Sequence, residues 1–387
     1  MRLRAGIILA GLLAASAANA QSVTHGNHLV TKSMVQLDTR VKGRVEPKAL
    51  NGSPNLMNDA PKSWLHSWPG VYWSANFTGH EVTLSFNDPA DQYRLFIDGT
   101  EITISKPGTQ DYRVSGLSDQ HHFILLEKFS ENQDAPASFN GFFVAAGAVE
   151  PGPHPHWSPR DRQIEFIGDS YTVGYGNTSG KRQCTRDEIW ATTDTSKAFG
   201  PLTANHYGAD YQINAFSGRG MVRNYGGFIG DPLPALYPYA LYDGKTPYDA
   251  PDWNWSPQII VIGLGTNDFT TPLHDGEKWK TRDELHADYE ATYVKFVQSL
   301  RAQNPDAYFI LMATDQVDGE IQSEVKKALA AIQAAGETRI TFLPMNNLNF
   351  GGCDYHPDTN DDRKISDALV TWIDAHPGIW SGIRQGE

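Results

Sequence analysis

Cysteine is almost absent from this sequence: Cys184 and Cys353 are the only two among 387 residues. That excludes a small scaffold stapled by many disulfides, and it excludes a cysteine-built zinc module, which needs four ligands at short spacing. The thirteen histidines form no HExxH pattern, so neither a metal nor any other cofactor is expected. Basic charge is in deficit as well. Thirty-two Lys and Arg stand against forty-five Asp and Glu, for a formal net charge of -13. This is the wrong sign for gripping a phosphate backbone, and nucleic acid is not an expected partner.

Long apolar runs are missing beyond the first twenty residues. Those twenty, "MRLRAGIILAGLLAASAANA", place Arg2 and Arg4 before an apolar stretch and end on Ala18-Asn19-Ala20. Charged start, apolar middle and small-x-small end make a secretion signal, with Gln21 opening the mature chain. A membrane anchor is the alternative, but the run falls short of the ~20 residues a spanning helix needs. The expectation is a secreted or periplasmic protein without membrane attachment after cleavage. In that setting two cysteines far apart in sequence read most simply as one Cys184–Cys353 disulfide.

What the sequence does contain falls into two textures. Between Val35 and Val149, short alternating runs such as "GVYWSANF", "HEVTLSF", "YRLFIDG", "TEITIS" and "HHFILLEKF" are separated by turn residues, the signature of a β-sandwich. Asp98-Gly99 between Phe96-Ile97 and Ile102-Ile104 reads as a two-residue hairpin turn. In residues 151–162, Pro151, Pro153, Pro155 and Pro159 fit neither a continuous helix nor a central strand, so this stretch reads as a stiff linker. His154 and His156 belong to the linker rather than to a ligand set. Residues 21–150 are then one domain and residues 163–387 another.

In the second domain, the apolar runs "QIEFIG", "YQINAF", "PQIIVIGLG", "AYFILMA" and "RITFLP" alternate with helical patterns. Leu285, Tyr289, Tyr293, Phe296 and Leu300 recur at helical spacing, as do Ile321, Val325, Leu329 and Ile332. Continuous apolar strands joined by crossover helices predict a parallel sheet covered on both faces.

Ligands of open α/β sheets gather beyond the carboxyl ends of the strands, and three polar blocks sit there. Ser170 follows "IEFIG", Gly218 follows "INAFS", and Asn267 follows "IIVIGLGT". A serine hydroxyl needs a general base within hydrogen-bond reach, and its attack needs donors aimed at the developing oxyanion. The Ser170 and Gly218 N–H groups and the Asn267 amide offer three donors. His356, in "GGCDYHPD", offers the base, and Pro357 after it biases the histidine into an extended loop. Singly these residues read as turn formers and caps. Their joint, ordered placement at strand ends is what points to a nucleophile.

The same blocks, "FIGDSYTVGYGN", "NAFSGRG", "GLGTNDF" and "DYHPD", resemble the four motifs of the SGNH, or GDSL-type, hydrolases. The resemblance implies a flavodoxin-like three-layer α/β/α fold and a Ser-His(-Asp) esterase. With "SGRGMVRNYGG" and "GCDYHP" behind a jelly-roll-like sandwich containing "HSWPGVYWSANFTGHEVTLSF", the chain is similar to carbohydrate esterase family 2. Members of that family remove O-acetyl groups from plant polysaccharides. The likeness implies Ser170 as nucleophile, Gly218 and Asn267 as oxyanion donors, and His356 as base.

One position departs from the superfamily pattern. The acid usually stands three residues before the histidine, where this chain has Cys353, and the nearest acid is Asp354. Residues two apart in an extended segment project the same way, so Asp354 is expected as the third member, with a backbone carbonyl as the alternative. A Cys184–Cys353 bridge would tie the histidine loop to the nucleophile block. Asp169 reads as a turn-stabilising carboxylate. Tyr355 is expected to meet sugar; Arg223, Asn224 and Trp253 are further candidate sugar contacts, with Trp190 and Trp255 beside them, and for these five a packing or loop-structural use is as plausible. The expected function is deacetylation of acetylated poly- or oligosaccharides. The alternatives are carbohydrate binding without catalysis, and a lipase or thioesterase on the same blocks.

Overall fold

The computed structural model describes residues 21–50, 61–148, 162–248 and 255–380. The expected secretion signal, nearly all of the proline linker with His154 and His156, and Trp253 lie outside the described residues.

The amino-terminal half is a sandwich of two antiparallel sheets. One has seven strands, running in the order Ser22–Gly26, Gly108–Ser115, Glu81–Asp88, Ala137–Ala145, Lys62–His66 and Glu46–Ala49, with Met34–Gln36 paired to Ala137–Ala145. The other has five, Arg40–Lys42, Tyr72–Thr78, His121–Lys128, Gln92–Ile97 and Thr100–Ser105. Alternation sets the faces: in His121–Lys128 every second side chain is buried, as a period-2 element with one face on the core requires. Trp73, Phe77, Leu84, Phe86, Tyr93, Phe139 and Phe142 fill the space between the sheets. The hairpin at Asp98-Gly99 forms as expected, Ile97 pairing with Thr100. Both turn residues have positive φ, which matches the twist of the flanking strands.

The second half is a five-stranded parallel sheet in the order Asp210–Ala215, Gln163–Gly168, Ile259–Gly263, Tyr308–Thr314, Ile340–Met345. This is the flavodoxin-like order, with the first strand flanked by the second on one side and the third on the other. The long helices Arg282–Gln303 and Glu320–Ala334 cover one face through Leu285, Tyr289, Tyr293, Val325 and Ile332. Phe199–His206 and Thr359–Asp374 cover the other through Phe199, Ile365, Leu369 and Ile373. Gly168 stands level with Ala215 and with Gly263. Ser170, Gly218 and Asn267 therefore leave the sheet from one edge, at the point where the strand order reverses.

The two halves pack directly on each other. Trp68 of the sandwich is fully buried and stacks on Phe216 at 4.2 Å between ring centroids. The Arg44 guanidinium, 3.7 Å from Glu165, lies over the rings of Tyr237 and Tyr248. Arg94 binds both oxygens of Asp194, at 2.7 and 3.3 Å.

Candidate active site

Ser170 opens the short helix Ser170–Val173, capped by Asp169, whose carboxylate accepts from the Tyr171 N–H. As a first-turn residue its own N–H has no intrahelical acceptor. Asp169 thus serves the turn, as expected, and burial pushes its carboxyl up to about 7. Ser170 is 4% exposed, and its Oγ lies 2.8 Å from His356 Nε2. Two blocks separated by 186 residues thus bring Ser170 Oγ and His356 Nε2 within hydrogen-bond distance.

The other ring nitrogen, His356 Nδ1, lies 2.9 Å from the Cys353 carbonyl oxygen. A carbonyl can only accept, so Nδ1 carries the proton and Nε2 keeps the lone pair that receives the serine proton. Burial pulls the imidazolium down to about 4, against the carbonyl's preference for the protonated ring. At neutral pH the His356 ring is therefore unprotonated. The Tyr171 and Tyr175 rings flank it, at 5.3 and 4.2 Å between centroids.

Asp354 does not take the place expected of it. Residues Cys353–Tyr355 form a tight 3-10 turn in which Asp354 and Tyr355 have φ of 50 and 60. The extended geometry that would align Asp354 with His356 is lost. Its carboxylate instead accepts from the Tyr175 hydroxyl at 2.9 Å, and the turn hands the ring the Cys353 carbonyl.

Cys353 is bonded to Cys184 with 5.5 Å between Cα atoms, and its N–H donates to Gly176 O. The His356 turn is thus fixed to the Ser170 block at Gly176 and to the segment just after that block at Cys184. Gly176 has φ of +57, and a Cβ there would run into the Cys353 side chain. Only glycine allows this approach.

Gly218 has φ of +80 and leads a turn held by Asp268, whose carboxylate accepts the N–H groups of Met221, Val222 and Arg223, each at 2.9 Å. Asn267 is buried, and its Nδ2 donates to Arg219 O at 2.9 Å. An amide nitrogen has two hydrogens, so one remains for an oxyanion.

Two of the candidate sugar contacts are structural. Arg223 is 1% exposed, with Nη2 donating to Glu277 Oε1 at 2.9 Å and to Pro272 O at 3.0 Å. Asn224 is buried and closes its own loop, donating to Gly230 O and accepting from the Gly220 N–H. Both are consumed by partners inside the protein. Trp190 donates to Ala90 O of the sandwich, and the Trp255 indole bonds buried Glu165. Tyr355, by contrast, is 59% exposed beside the base and lies under the Arg182 guanidinium at 5.3 Å. It borders a polar groove of about 960 Å³ with Asn177, Lys181, Arg182 and Asn360. Tyr225 and Phe228, exposed in the loop after Gly218, were not singled out in the sequence, although "NYGGF" holds both.

One cluster of metal-ligand type exists among the described residues: buried His66, Asp88 and Asp91 in the sandwich. The Lys128 ammonium already stands 3.4 Å from Asp91, and the Tyr93 hydroxyl spans His66 Nε2 and Asp88. The cluster carries its own cation.

With this geometry in place, comparison with known proteins is specific. Residues 57–153 match the family model "Carbohydrate esterase 2 N-terminal", and residues 166–378 match the "GDSL-like Lipase/Acylhydrolase family". An acetylxylan esterase / glucomannan deacetylase of Cellvibrio japonicus is 47% identical over 323 residues, 83% of this chain and 88% of that protein. A solved carbohydrate esterase, described as having an active site with divergent catalytic and non-catalytic binding functions, superposes with TM-score 0.81 at 44% identity. The match covers 89% of this chain and 99% of that one. A family 2 enzyme with a carbohydrate-binding domain from Corynascus thermopiles gives TM-score 0.71 at 30% identity, covering 88% and 100%. The chain belongs to carbohydrate esterase family 2, as an ester hydrolase built from an amino-terminal β-sandwich and a GDSL-type α/β domain.

Proposed function

We propose that this protein is a secreted serine esterase that removes O-acetyl groups from plant-type polysaccharides or their oligosaccharides, with xylan, mannan and glucan backbones as the substrate class. The observation that carries the reading is the 2.8 Å contact between Ser170 Oγ and His356 Nε2, with the Nδ1 proton engaged on the Cys353 carbonyl. Ser170 attacks the acetyl carbonyl while His356 takes its proton. The tetrahedral oxyanion is received by the Ser170 and Gly218 N–H groups and the Asn267 amide. His356 then returns the proton to the departing sugar hydroxyl, and water, activated by the same histidine, releases acetate from Ser170.

Support for a sugar substrate comes from the cleft surroundings. The groove that begins at Tyr355, next to His356 but not itself lined by Ser170 or His356, carries Asn, Thr, Ser, Lys, Arg and Asp side chains, suited to hydroxyl-rich ligands rather than to acyl chains. The exposed rings of Tyr225, Phe228 and Tyr355 offer faces on which a pyranose can stack. The amino-terminal signal pattern and the disulfide fit an exported protein.

The test is acetate release from acetylated xylan and glucomannan by wild type and Ser170→Ala. The reading expects release by the first and none by the second, and activity retained in Ser170→Ala would remove Ser170 from its role. A binding function is a second reading, favoured by the solved relative's non-catalytic binding. It predicts polysaccharide retention in affinity electrophoresis by a wild type that releases no acetate. Preference for octanoyl over acetyl esters would favour a lipase instead.

A further inference from the structure

The turn that carries Gly218 is gripped from the other domain. Gln133 Nε2 donates to the Ser217 carbonyl oxygen at 2.9 Å, and the Ser217 N–H donates to Glu131 Oε2 at 2.8 Å. Gln133 and Glu131 lie in the sandwich, just after the strand His121–Lys128. Their side chains also bond each other at 3.1 Å, and Gln133 Oε1 accepts from Arg219 at 3.1 and 3.3 Å. The segment bearing them is itself fastened: Ser130 Oγ donates to Asp91, and the Asn132 N–H donates to Ser67 O.

The described peptide bonds are all trans. In a trans amide plane the C=O and the next N–H point in opposite directions. A Ser217 carbonyl held toward the sandwich therefore sends the Gly218 N–H away from it. Gly218, lacking Cβ, gives that plane little restraint of its own, and the Asp268 clamp acts three residues further on. The turn is closed around this peptide by the Arg219 N–H on Phe216 O and the Tyr225 N–H on Gly218 O, and the hydrogen bond from Gln133 is the side-chain restraint placed on the peptide's own carbonyl.

We propose that Gln133, supported by Glu131, is a positioning residue for the reaction: it sets the Ser217–Gly218 peptide so that the Gly218 N–H faces the acetyl carbonyl at Ser170. The inference rests on the reading of Gly218 as an oxyanion donor. It makes the β-sandwich a part of the catalytic apparatus.

The test compares wild type, Gln133→Met and Gln133→Glu. Methionine keeps the length of the side chain without donor or acceptor. Glutamate keeps the acceptor for Arg219 but removes the donor to Ser217; because it would set a carboxylate 3.1 Å from Glu131, it is combined with Glu131→Gln, which keeps an acceptor for the Ser217 N–H, and the pair serves if the methionine variant folds poorly. Loss of one whole oxyanion donor lowers kcat by about 10²–10³. A donor left present but unguided should cost at least about tenfold in kcat on an aryl acetate, with KM little changed in a variant that remains folded at the assay temperature. Affinity for methylboronic acid, whose serine adduct places an oxygen in the same donor site, should fall in the same ratio. Unchanged kcat and boronate affinity in a folded Gln133 variant would overturn the inference. Boronate binding that persists in Ser170→Ala would instead overturn the serine site itself, so the two failures are distinguishable.

Discussion

Replacing Asp354 by asparagine removes a negative charge two residues from the base while preserving side-chain size, and it separates two ways of steering a catalytic histidine. In a triad steered by a carboxylate, the Asp→Asn change costs about 10⁴ in kcat, because the histidine is left in the wrong tautomer. In this site the Nδ1 proton is already committed to the Cys353 carbonyl at 2.9 Å, and Asp354 is exposed and occupied by the Tyr175 hydroxyl. What the mutation weakens is one solvent-facing hydrogen bond, from a charged to a neutral acceptor, by at most about 1 kcal/mol. Its charge also favours the imidazolium that forms during reaction, a contribution weakened by solvent. Since about 1.4 kcal/mol is tenfold in rate, kcat/KM for aryl acetate hydrolysis at neutral pH should fall by about tenfold or less. The assay is initial rates for wild type and Asp354→Asn at matched folded concentration. A loss of about 10³ or more would refute the carbonyl-steered arrangement and restore Asp354 as the third member of a triad.

Three further outcomes follow from the same geometry. Burial lowers His356 to about 4, and only the neutral ring accepts the serine proton. The acid limb of kcat/KM should therefore lie well below the ordinary histidine value of 6.5, with activity lost as pH falls toward 4; a limb at 6.5 or above would contradict this. Removing one partner of a buried ion pair costs about 3–5 kcal/mol. Arg223→Ala should therefore lower the melting temperature through the stranded Glu277, whereas a raised KM at unchanged melting temperature would return Arg223 to the substrate. Cys184→Ser opens a bridge spanning 169 residues, whose chain-entropy contribution is at most about 5 kcal/mol. Both melting temperature and kcat should drop, since the bridge anchors the turn holding His356, and calorimetry beside initial rates would show it.

The parallel sheet was legible because its inner strands are mostly apolar runs buried on both faces, so "IEFIG" and "IIVIGLG" declare themselves without any knowledge of partners. The amino-terminal strands Ser22–Gly26 and Glu46–Ala49 were not legible. They are short, polar sheet-edge strands, and a proline at 47 speaks against a strand except at an edge. That Ser170 and His356 would meet was readable from order and position. The way the base is steered was not, because it depends on positive φ at Asp354 and Tyr355, which no residue type there announces. Arg223 could be read either as a ligand contact or as a structural residue, for a different reason. Its partner Glu277 lies 54 residues on, and without that partner an arginine in a loop looks free. Gln133 escaped notice in the same way, lying 84 residues before the Ser217 carbonyl it holds.

The central claim is that Ser170 becomes acetylated and that His356 drives both halves of the reaction. Rapid mixing with an excess of aryl acetate, followed by acid quench and peptide mass analysis, addresses it most directly. The account predicts acetylation on the peptide containing Ser170 in wild type, approaching one acetyl group per molecule if deacetylation is the slow step, and none there in Ser170→Ala. An acetyl group found on another residue, or hydrolysis continuing undiminished in Ser170→Ala, would contradict it.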